Sequence, residues 1–278
     1  MKLSVCHYSF HRRWKEESWT LERLCEEAKS LGVNAVDFHA GLIGEIEGAV
    51  EKVKSALTKS DIELSGFSLS TNFNLEDQHS YREMIDRTIK WMRVAAEVGA
   101  SVSRIFGGTL KDRLNIDEKA KNDAFNRVID ALMVVTKEAE RLGLVLAIEN
   151  HGGLPCTAEE QTYIIETVNS KYLRATIDIG NYMACGQEAV EGTRIASKYC
   201  AYVHIKDFKK KPDPSLPWGW SIEPCTIGEG DVDLSGCLKA LRDAGYDGYV
   251  ALEYEGPEDE RTGVPKSLEF IKSVMSRL

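Results

Sequence analysis

The feature that most constrains this chain is a regular alternation between short β-branched segments and longer amphipathic segments. Eight short runs are rich in Val, Ile, Leu or Tyr, which is typical of buried parallel strands. The predicted strands are residues 3–6, 35–39, 62–69, 102–106, 144–149, 174–179, 201–205 and 249–254. Between them apolar residues recur with the 3.6-residue period of a helix, as at Phe125, Val128 and Leu132.

Capping residues support the same alternation. Thr20 and Thr157 each precede a helical run in the N-cap position, and Glu160 completes a capping box with Thr157. A glycine suited to a left-handed C-cap follows four of the helical runs, at Gly32, Gly99, Gly143 and Gly245.

Repeated strand–helix units predict a parallel sheet with right-handed crossovers. Eight such units in 278 residues predict a single (β/α)8 barrel over residues 1–278, with no second domain. An open doubly wound sheet is the alternative. It lacks support, because no G-x-G-x-x-G motif follows the first strand and the chain has no phosphate-binding P-loop motif.

Composition argues against several classes of function. The chain has 44 acidic and 35 basic residues, a net charge of −9 that disfavours nucleic acid as a partner. No run reaches the roughly 18 apolar residues that would cross a membrane, and the N-terminus has no signal-peptide pattern. Seven scattered cysteines favour buried free thiols in a reducing compartment over a disulfide framework. These observations predict a cytoplasmic protein.

Four late strands are predicted to end in ionisable residues, at the end of the barrel where this fold places its active site. They are Glu149, Asp178, His204 and Glu253. Because alternate strand residues share a face, pointing all four inward turns their neighbours outward, against the helices. Those neighbours are apolar: Ile148, Ile177, Val203 and Leu252. The opposite facing would bury four ionisable groups under the helices without partners.

Three carboxylates that converge at one barrel mouth would repel one another, and a divalent cation removes this conflict. Mixed oxygen and nitrogen ligands suit Mn²⁺ best in our interpretation, with Mg²⁺, Co²⁺ or Zn²⁺ as alternatives. Any one of these residues alone is equally typical of a helix cap, a surface ion pair or a core histidine. The set of four on consecutive late strands predicts one metal ion.

Characteristic motifs surround these positions. They read Ile148-Glu149-Asn150-His151-Gly152-Gly153, Ile177-Asp178-Ile179-Gly180-Asn181, Val203-His204-Ile205-Lys206-Asp207, Gly228-Glu229-Gly230 and Leu252-Glu253-Tyr254-Glu255-Gly256. Together, along essentially the whole chain, they resemble the sugar phosphate isomerase/epimerase family of the xylose isomerase-like TIM-barrel superfamily. The resemblance implies that Glu149, Asp178, His204 and Glu253 bind one divalent metal that chelates adjacent carbonyl and hydroxyl oxygens of a substrate. It also implies that the two glutamates move protons on opposite faces of an enediolate.

The chain departs from the ketose 3-epimerases of that family at three substrate-binding positions. Asn181 stands where those enzymes have histidine, Pro155 where they have glutamate, and Lys210 where they have arginine. A free ketohexose substrate is therefore not implied. A branch of the superfamily that cleaves abasic DNA with three zinc ions has histidines at the ends of the third and fourth strands. Residues 68–70 and 106–108 contain none, so the resemblance implies one metal rather than three.

Six further residues are candidates for substrate contact: His151, Asn181, Lys206, Lys210, Arg104 and Trp14. His151 and Lys206 each lie two residues beyond a predicted ligand and so share its face. A solvent-facing histidine and a solvated lysine run are the alternative interpretations for His151 and for the lysines. Arg104, inside an apolar strand, is predicted to pair with an interior carboxylate such as Asp37.

Two long loops carry aromatic residues that suit a lid over the barrel mouth. The first contains Phe10, Trp14 and Trp19, and the seventh, residues 212–231, contains Trp218 and Trp220. The same residues are equally suited to cover the barrel rim or to form the interface of a homo-oligomer.

The sequence therefore predicts a divalent-metal-dependent isomerase or epimerase of a sugar, a sugar derivative or a related polyol ketone, with Glu149 and Glu253 as acid/base pair. The first alternative is a dehydratase or lyase of a keto-polyol or cyclic ketone at the same metal site. A barrel that binds its ligand without turnover is disfavoured, because a pure binder does not need two facing carboxylates. An abasic-site endonuclease is disfavoured by the negative charge.

Overall fold

The computed structural model describes all 278 residues, and eight parallel strands form a sheet that curls into a nearly closed barrel. These strands are β1 (Lys2–Cys6), β2 (Ala35–His39), β3 (Glu63–Ser68), β4 (Val102–Phe106), β5 (Val145–Glu149), β6 (Leu173–Asp178), β7 (Cys200–Ile205) and β10 (Tyr249–Leu252). Their order in the sheet is β3-β2-β1-β10-β7-β6-β5-β4. The predicted (β/α)8 barrel is confirmed, and each predicted strand end lies within about two residues of the observed one.

Helices connect the strands and cover the outside of the barrel. They are α1 (His11–Glu16), α2 (Leu21–Ser30), α3 (Ala40–Ile43), α4 (Ala49–Ser60), α5 (Gln78–Glu97), α6 (Glu118–Leu142), α7 (Ala158–Val168), α8 (Ala189–Ala196), α9 (Leu234–Asp243) and α10 (Glu260–Met275). The predicted caps are present, since the Thr20 and Thr157 hydroxyls accept backbone N–H bonds from Arg23 and Glu160. None of these helices combines the length and apolarity that a membrane crossing requires.

Strand residues alternate between two buried layers, as the period of two predicts. The outward residues Ile148, Ile177 and Val203 belong to the large apolar cluster between strands and helices. Their inward neighbours include Ala147 and Tyr202, which pack together inside the barrel. The predicted facing of the late strands is therefore confirmed, and it directs their terminal ionisable residues into the barrel mouth.

Strands β3 and β4 close the barrel through individual hydrogen bonds rather than a continuous ladder. The Leu69 N–H donates to the carbonyl of Arg104 at 2.8 Å. The Thr71 hydroxyl donates to the carbonyl of Phe106 at 2.5 Å and accepts from its N–H at 2.9 Å. One buried threonine side chain thus replaces part of a strand ladder at this seam.

The region predicted as a long seventh loop differs from the prediction. It contains an antiparallel hairpin of β8 (Phe208–Pro212) and β9 (Trp220–Pro224). Most hairpin residues are exposed or half-buried. Apolar and polar residues alternate only over Trp220–Glu223 of β9, whereas β8 contains three successive lysines, so the sequence pattern did not predict a hairpin.

The cysteines also differ in part from the prediction of free thiols. Cys156 and Cys185 form a disulfide between the loops that follow β5 and β6, with Cα atoms 6.2 Å apart. The other five cysteines are free, and four of them are buried. The bonded residues are 29 positions apart, and only the neighbouring positions of β5 and β6 in the barrel bring their loops together.

Candidate metal centre

The four predicted ligands converge at the C-terminal end of the barrel. Glu149, Asp178 and His204 lie at or next to the ends of β5, β6 and β7, and Glu253 directly follows β10. One ligand atom from each lies within 4.8 Å of the others. All four side chains are buried, with Glu253 the most exposed at 4%. The structure therefore brings together residues from four separate strands at one point.

The atoms that face each other in this cluster lack hydrogen-bond partners. They are Glu149 Oε2, Asp178 Oδ2, His204 Nδ1 and Glu253 Oε2. Buried polar atoms in proteins nearly always have a partner, so four such atoms around one point indicate a missing ligand. Three carboxylate oxygens and one imidazole nitrogen are a donor set that divalent metal ions accept. The residues present therefore fit the predicted metal ion.

Local hydrogen bonds hold the opposite oxygen of two carboxylates. Asp178 Oδ1 accepts the backbone N–H groups of Gly180 and Asn181, both at 3.0 Å. The Asn181 amide donates to Glu149 Oε1 at 3.3 Å. The Asn150 side chain bonds the Asp178 backbone twice, accepting from its N–H at 2.9 Å and donating to its carbonyl at 2.8 Å. Because these oxygens are occupied, Oδ2 of Asp178 and Oε2 of Glu149 are left to face the centre.

The His204 ring has a different neighbour at each nitrogen. Nδ1 lies 3.2 Å from Glu253 Oε2 and 3.5 Å from Glu149 Oε2. On the other side of the ring, Nε2 lies 3.1 Å from Asp37 Oδ2. Asp37 lies on β2 and is fully buried.

Arg104 lies against the cluster from β4, and its side chain is only 1% exposed. Its Nε is 3.0 Å from Glu149 Oε2, and its Nη2 is 3.9 Å from Glu253 Oε1. The expected pair of Arg104 with an interior carboxylate is confirmed, but the partner is Glu149 rather than Asp37. Strand β4 neighbours β5, which carries Glu149, whereas the Asp37 carboxylate is already engaged by other side chains.

Lys206 also contacts the cluster, and it is 3% exposed. Its ammonium is 3.1 Å from Glu253 Oε2, 3.6 Å from Asp178 Oδ2 and 3.1 Å from Glu255 Oε1. The predicted sharing of a face with His204 is therefore confirmed, and the ammonium lies beside two of the candidate metal ligands.

The charges of the cluster shift the pKa values of its three carboxylates in different directions. Burial alone would raise the pKa of Glu149, but the positive charges of Arg104 and His204 lower it below its usual range. Burial is likewise opposed at Glu253, where Lys206 and His204 lower the pKa. Burial and repulsion from the two glutamates raise the pKa of Asp178, against the attraction of Lys206. A further positive charge would favour the ionised form of all three carboxylates.

Two of the other sequence candidates lie near the rim of the mouth. His151 is exposed, and its ring centroid is 4.4 Å from that of Phe106 at the end of β4. Trp14 is half-buried in α1, and its ring meets the buried His7 ring edge-on at 4.2 Å. Of the other aromatic residues in the first loop, Phe10 and Trp19 are buried and belong to the apolar core.

Lys210 makes no contact with the four candidate ligands, and its role in substrate binding stays a prediction. It lies on β8 of the hairpin, where its ammonium is 2.6 Å from Glu188 Oε1. It also lies 4.2 Å from the centroid of the Trp220 ring.

Sequence reasoning missed the residues behind His204. Asp37 was considered only as a partner for Arg104, and Cys6 and Ser68, which both donate to Asp37, were not considered for the site. Cys6 and Ser68 are the last residues of β1 and β3, Asp37 lies two residues before the end of β2, and all three are buried. The same test that found the late ligands, polar residues at strand ends, would have found them.

Comparison with known proteins agrees with the fold. A family model for xylose isomerase-like TIM barrels matches residues 25–274. The L-ribulose-5-phosphate 3-epimerase UlaE of Escherichia coli (strain K12) is 23% identical over 278 residues, covering 94% of this chain and 91% of that protein. A shorter match of 148 residues to the uncharacterized protein MJ1311 of Methanocaldococcus jannaschii is 26% identical and spans 47% of that relative.

Solved structures resemble this one over its whole length. The 3-keto-D-glucoside 4-epimerase YcjR from E. coli superposes with a TM-score of 0.77 at 16% identity, covering 98% of this chain and 99% of that one. The IOLI protein, solved with a zinc atom, gives a TM-score of 0.74 at 19% identity, covering 100% of this chain and 97% of that one. At these identities the similarity establishes the fold.

Proposed function

The chain belongs to the xylose isomerase-like TIM barrel family, and from this premise we propose that it is a divalent-metal-dependent epimerase or isomerase of a sugar or sugar derivative. The similarity to sugar epimerases supports the class of reaction. The observation that carries the metal dependence is the set of four unpartnered ligand atoms on Glu149, Asp178, His204 and Glu253. Of the suitable ions we favour Mn²⁺, because the donors are mostly carboxylate oxygens with one imidazole.

The proposed mechanism moves a proton at the carbon next to a substrate carbonyl. A bound divalent ion would polarise that carbonyl and acidify the neighbouring C–H. Glu149 and Glu253 act as the acid/base pair, one carboxylate removing the proton and the other returning it. Arg104 and Lys206 lower the pKa values of these glutamates and so keep both carboxylates ionised at neutral pH.

We assign the surrounding residues to substrate binding and to orientation of the site. Lys206 lies where its ammonium can also donate to a substrate oxygen, and His151 and Trp14 lie near the rim for contacts with the rest of the substrate. Arg104 and Asn181 contact Glu149 directly, so their effect on substrate passes through that carboxylate. We propose that the substrate is a small sugar or polyol and that the protein acts in the cytoplasm. Whether the chain forms a homo-oligomer can be tested by measuring its mass in solution.

One observation favours a dehydratase as the second candidate. The Lys206 ammonium is buried among Glu253, Asp178 and Glu255, within 3.1 Å of the nearest carboxylate oxygens. A buried ammonium beside the base can protonate a departing hydroxyl group. The same first proton abstraction would then end in loss of water rather than in return of the proton.

Elemental analysis of the purified protein and of His204→Ala tests the metal centre. We expect one divalent ion per chain after incubation with Mn²⁺, and loss of that ion in the variant because it removes the imidazole donor. His79→Ala is the matched control, since His79 is an exposed histidine on α5. No ion in the unsubstituted protein, or three zinc ions per chain, would contradict the proposal.

Incubation with free ketoses, ketose 5-phosphates and keto-glycosides in deuterated water tests the reaction. An epimerase or isomerase incorporates solvent deuterium without any other change of mass, whereas a dehydratase product has lost water. Glu149→Gln and Glu253→Gln are each expected to lower the rate by about 10²–10⁴-fold, because a positioned general base contributes that much. A barrel that only binds its ligand would neither incorporate deuterium nor release water. Unchanged rates in both variants would exclude the glutamates as acid and base.

A further inference from the structure

His204 lies between two groups of potential metal-binding side chains. On one side are Glu149, Asp178 and Glu253, and on the other are Cys6 and Asp37. Each group is compact enough to surround one ion, and both would use the same imidazole. The ring has one nitrogen for each side, so the position of its proton decides which side can bind a metal.

The hydrogen bonds differ between the two groups. In the first, the atoms that face His204 Nδ1 have no hydrogen-bond partner, as described above. In the second, Asp37 Oδ2 accepts from the Cys6 thiol at 3.4 Å and from the Ser68 hydroxyl at 2.7 Å. Its contact with His204 Nε2 at 3.1 Å completes this set. The Asp37 oxygen that faces the ring is therefore held by three side chains, and on the Cys6 and Asp37 side only Asp37 Oδ1 lacks a partner. On the other side an oxygen of each of the three carboxylates lacks one.

The geometry at Asp37 identifies the protonated nitrogen of the ring. A carboxylate oxygen that accepts from a thiol and a hydroxyl is an acceptor, so the ring nitrogen beside it acts as a donor. A neutral imidazole with its proton on Nε2 has a free lone pair on Nδ1. Nδ1 faces Glu253 and Glu149, so a neutral ring with this proton position would present its lone pair to a metal ion bound by those carboxylates.

We propose that Asp37 is the positioning residue of the metal centre. It holds the Nε2–H of His204, sets the ring orientation and presents the Nδ1 lone pair to the three carboxylates. This inference rests on the proposed metal centre and adds a residue from the opposite wall of the barrel, on β2, to the four that bind the ion. In metal sites of this kind, loss of the carboxylate behind a histidine ligand weakens metal binding by about 10–100-fold.

Metal affinity of Asp37→Asn, measured by competition with a chelator for Zn²⁺, tests the role. The substitution keeps the shape of the side chain but removes the negative charge that holds the ring proton. We expect binding about 10–100-fold weaker than in the unsubstituted protein. Ser68→Ala is the matched control, because Ser68 also donates to Asp37 Oδ2 but makes no hydrogen bond with His204, and we expect its affinity within about threefold of the unsubstituted protein.

The protonation state of the ring provides a readout that a merely structural role would not change. The chain has six histidines, so nitrogen NMR of ¹⁵N-histidine-labelled protein loaded with Zn²⁺ resolves few rings. Signals lost in His204→Ala identify His204. We expect a metal-bound Nδ1 and a protonated Nε2 in the unsubstituted protein, and loss of this single pattern in Asp37→Asn.

Three outcomes overturn the inference, and they are distinguishable. If the unsubstituted protein binds no ion, the metal centre itself is wrong and the role of Asp37 falls with it. If the unsubstituted protein binds an ion and Asp37→Asn binds it equally with the same ring pattern, only the role of Asp37 is wrong. If the Co²⁺-loaded protein shows a thiolate-to-metal charge-transfer band that is lost in Cys6→Ser, the ion lies on the Cys6 and Asp37 side instead.

Discussion

At the scale of single residues, the candidate centre depends on charges that are buried together. Arg104 is the cation closest to Glu149, and neither side chain has appreciable exposure. A buried ion pair contributes little net stability when both partners are present, but removal of one partner leaves an uncompensated charge. Arg104 therefore matters most when no metal ion balances the three carboxylates.

Arg104→Met is expected to destabilise the metal-free protein by about 3–5 kcal/mol, because it leaves the carboxylates without that charge. The loss should be smaller with bound Mn²⁺, since the ion supplies positive charge at the same place. Denaturant unfolding with a chelator and with excess Mn²⁺ measures both. Arg93→Met is the control, an arginine that is 61% exposed in its pair with Glu138, and should change stability by less than about 1 kcal/mol. Equal losses with and without metal would show that Arg104 acts through packing alone.

We expect the stability of the protein to depend on pH because of His39, which is buried at the end of β2. Burial first, and then the nearby Arg104 charge, lower its pKa from 6.5 to about 4. The unfolded chain therefore takes up a proton as the pH falls below 6.5, whereas the folded protein does not until about pH 4. The free energy of unfolding is therefore unaffected by His39 above pH 6.5. As the pH falls from 6.5 towards 4, protonation of this histidine in the unfolded chain lowers the free energy of unfolding by about 3 kcal/mol in total.

Unfolding free energies of the protein and of His39→Gln between pH 7 and pH 4 check this expectation. The variant should lose less stability over the range, because it has no imidazole to protonate when unfolded. His79→Gln, at an exposed position, should follow the unsubstituted protein. Identical pH profiles for His39→Gln and the unsubstituted protein would refute the expectation.

At the scale of elements, the Gly228-Glu229-Gly230 segment connects the hairpin to α9 by wrapping around one carboxylate. Asp207 accepts the backbone N–H groups of Gly228 at 2.8 Å, Gly230 at 2.9 Å and Val232 at 3.2 Å. Gly228 has φ of +94°, and a Cβ on Gly230 would overlap the Asp207 carboxylate. Since Asp207 directly follows Lys206, this segment also anchors the chain beside the candidate centre.

Gly230→Ala is expected to cost roughly 2–4 kcal/mol of stability, because the added methyl group displaces Asp207 and weakens its hydrogen bonds. Gly219→Ala is the matched control at the tip of the hairpin. That glycine has φ of +85° and no neighbouring atom within 4 Å of an added Cβ, so only the backbone cost of about 1–2 kcal/mol applies. Denaturant titration measures the free energy of unfolding of both variants. Equal losses would mean that the Gly228-Glu229-Gly230 segment accommodates the added methyl group without weakening its hydrogen bonds to Asp207.

At the scale of the whole molecule, the hydrogen bonding of the barrel is least continuous between β3 and β4. The seam between β3 and β4 has no continuous ladder, and Thr71 supplies two of its hydrogen bonds. The late strands β5, β6 and β7 pair through ladders, with one shift of register between Ala175 and Thr176 of β6, and carry three of the four candidate ligands. The seam is therefore separated from the more firmly paired half that carries most of the centre.

Thr71→Val is expected to destabilise the protein by about 1–3 kcal/mol, because it leaves the N–H and carbonyl of Phe106 unpaired. Hydrogen exchange should become faster at β3 and β4 and remain unchanged at β6 and β7. Thr109→Val, at an exposed threonine near the seam, is the control. Uniformly faster exchange would indicate that the seam does not open independently of the rest.

Much of the fold and part of the candidate centre could be predicted, because both depend on local patterns. Ala147 and Glu149 are two residues apart on β5, so their side chains lie on the same face, as in any strand. Thr157 forms its cap within three residues. The partners of Arg104 and of Lys210 could not be predicted, because each depends on which element lies beside it in the folded molecule.

The sequence by itself determined the period of each segment, the direction of each strand residue and hence the four side chains that enter the barrel mouth. Only the tertiary structure decided which atoms meet there. Asp37 and His204 are 167 positions apart, and their 3.1 Å contact exists because the barrel closes β2 and β7 around one interior. Periodicity is a property of residues that are close in sequence. Contact across a barrel depends on strand order and register, which the periodic pattern alone does not specify.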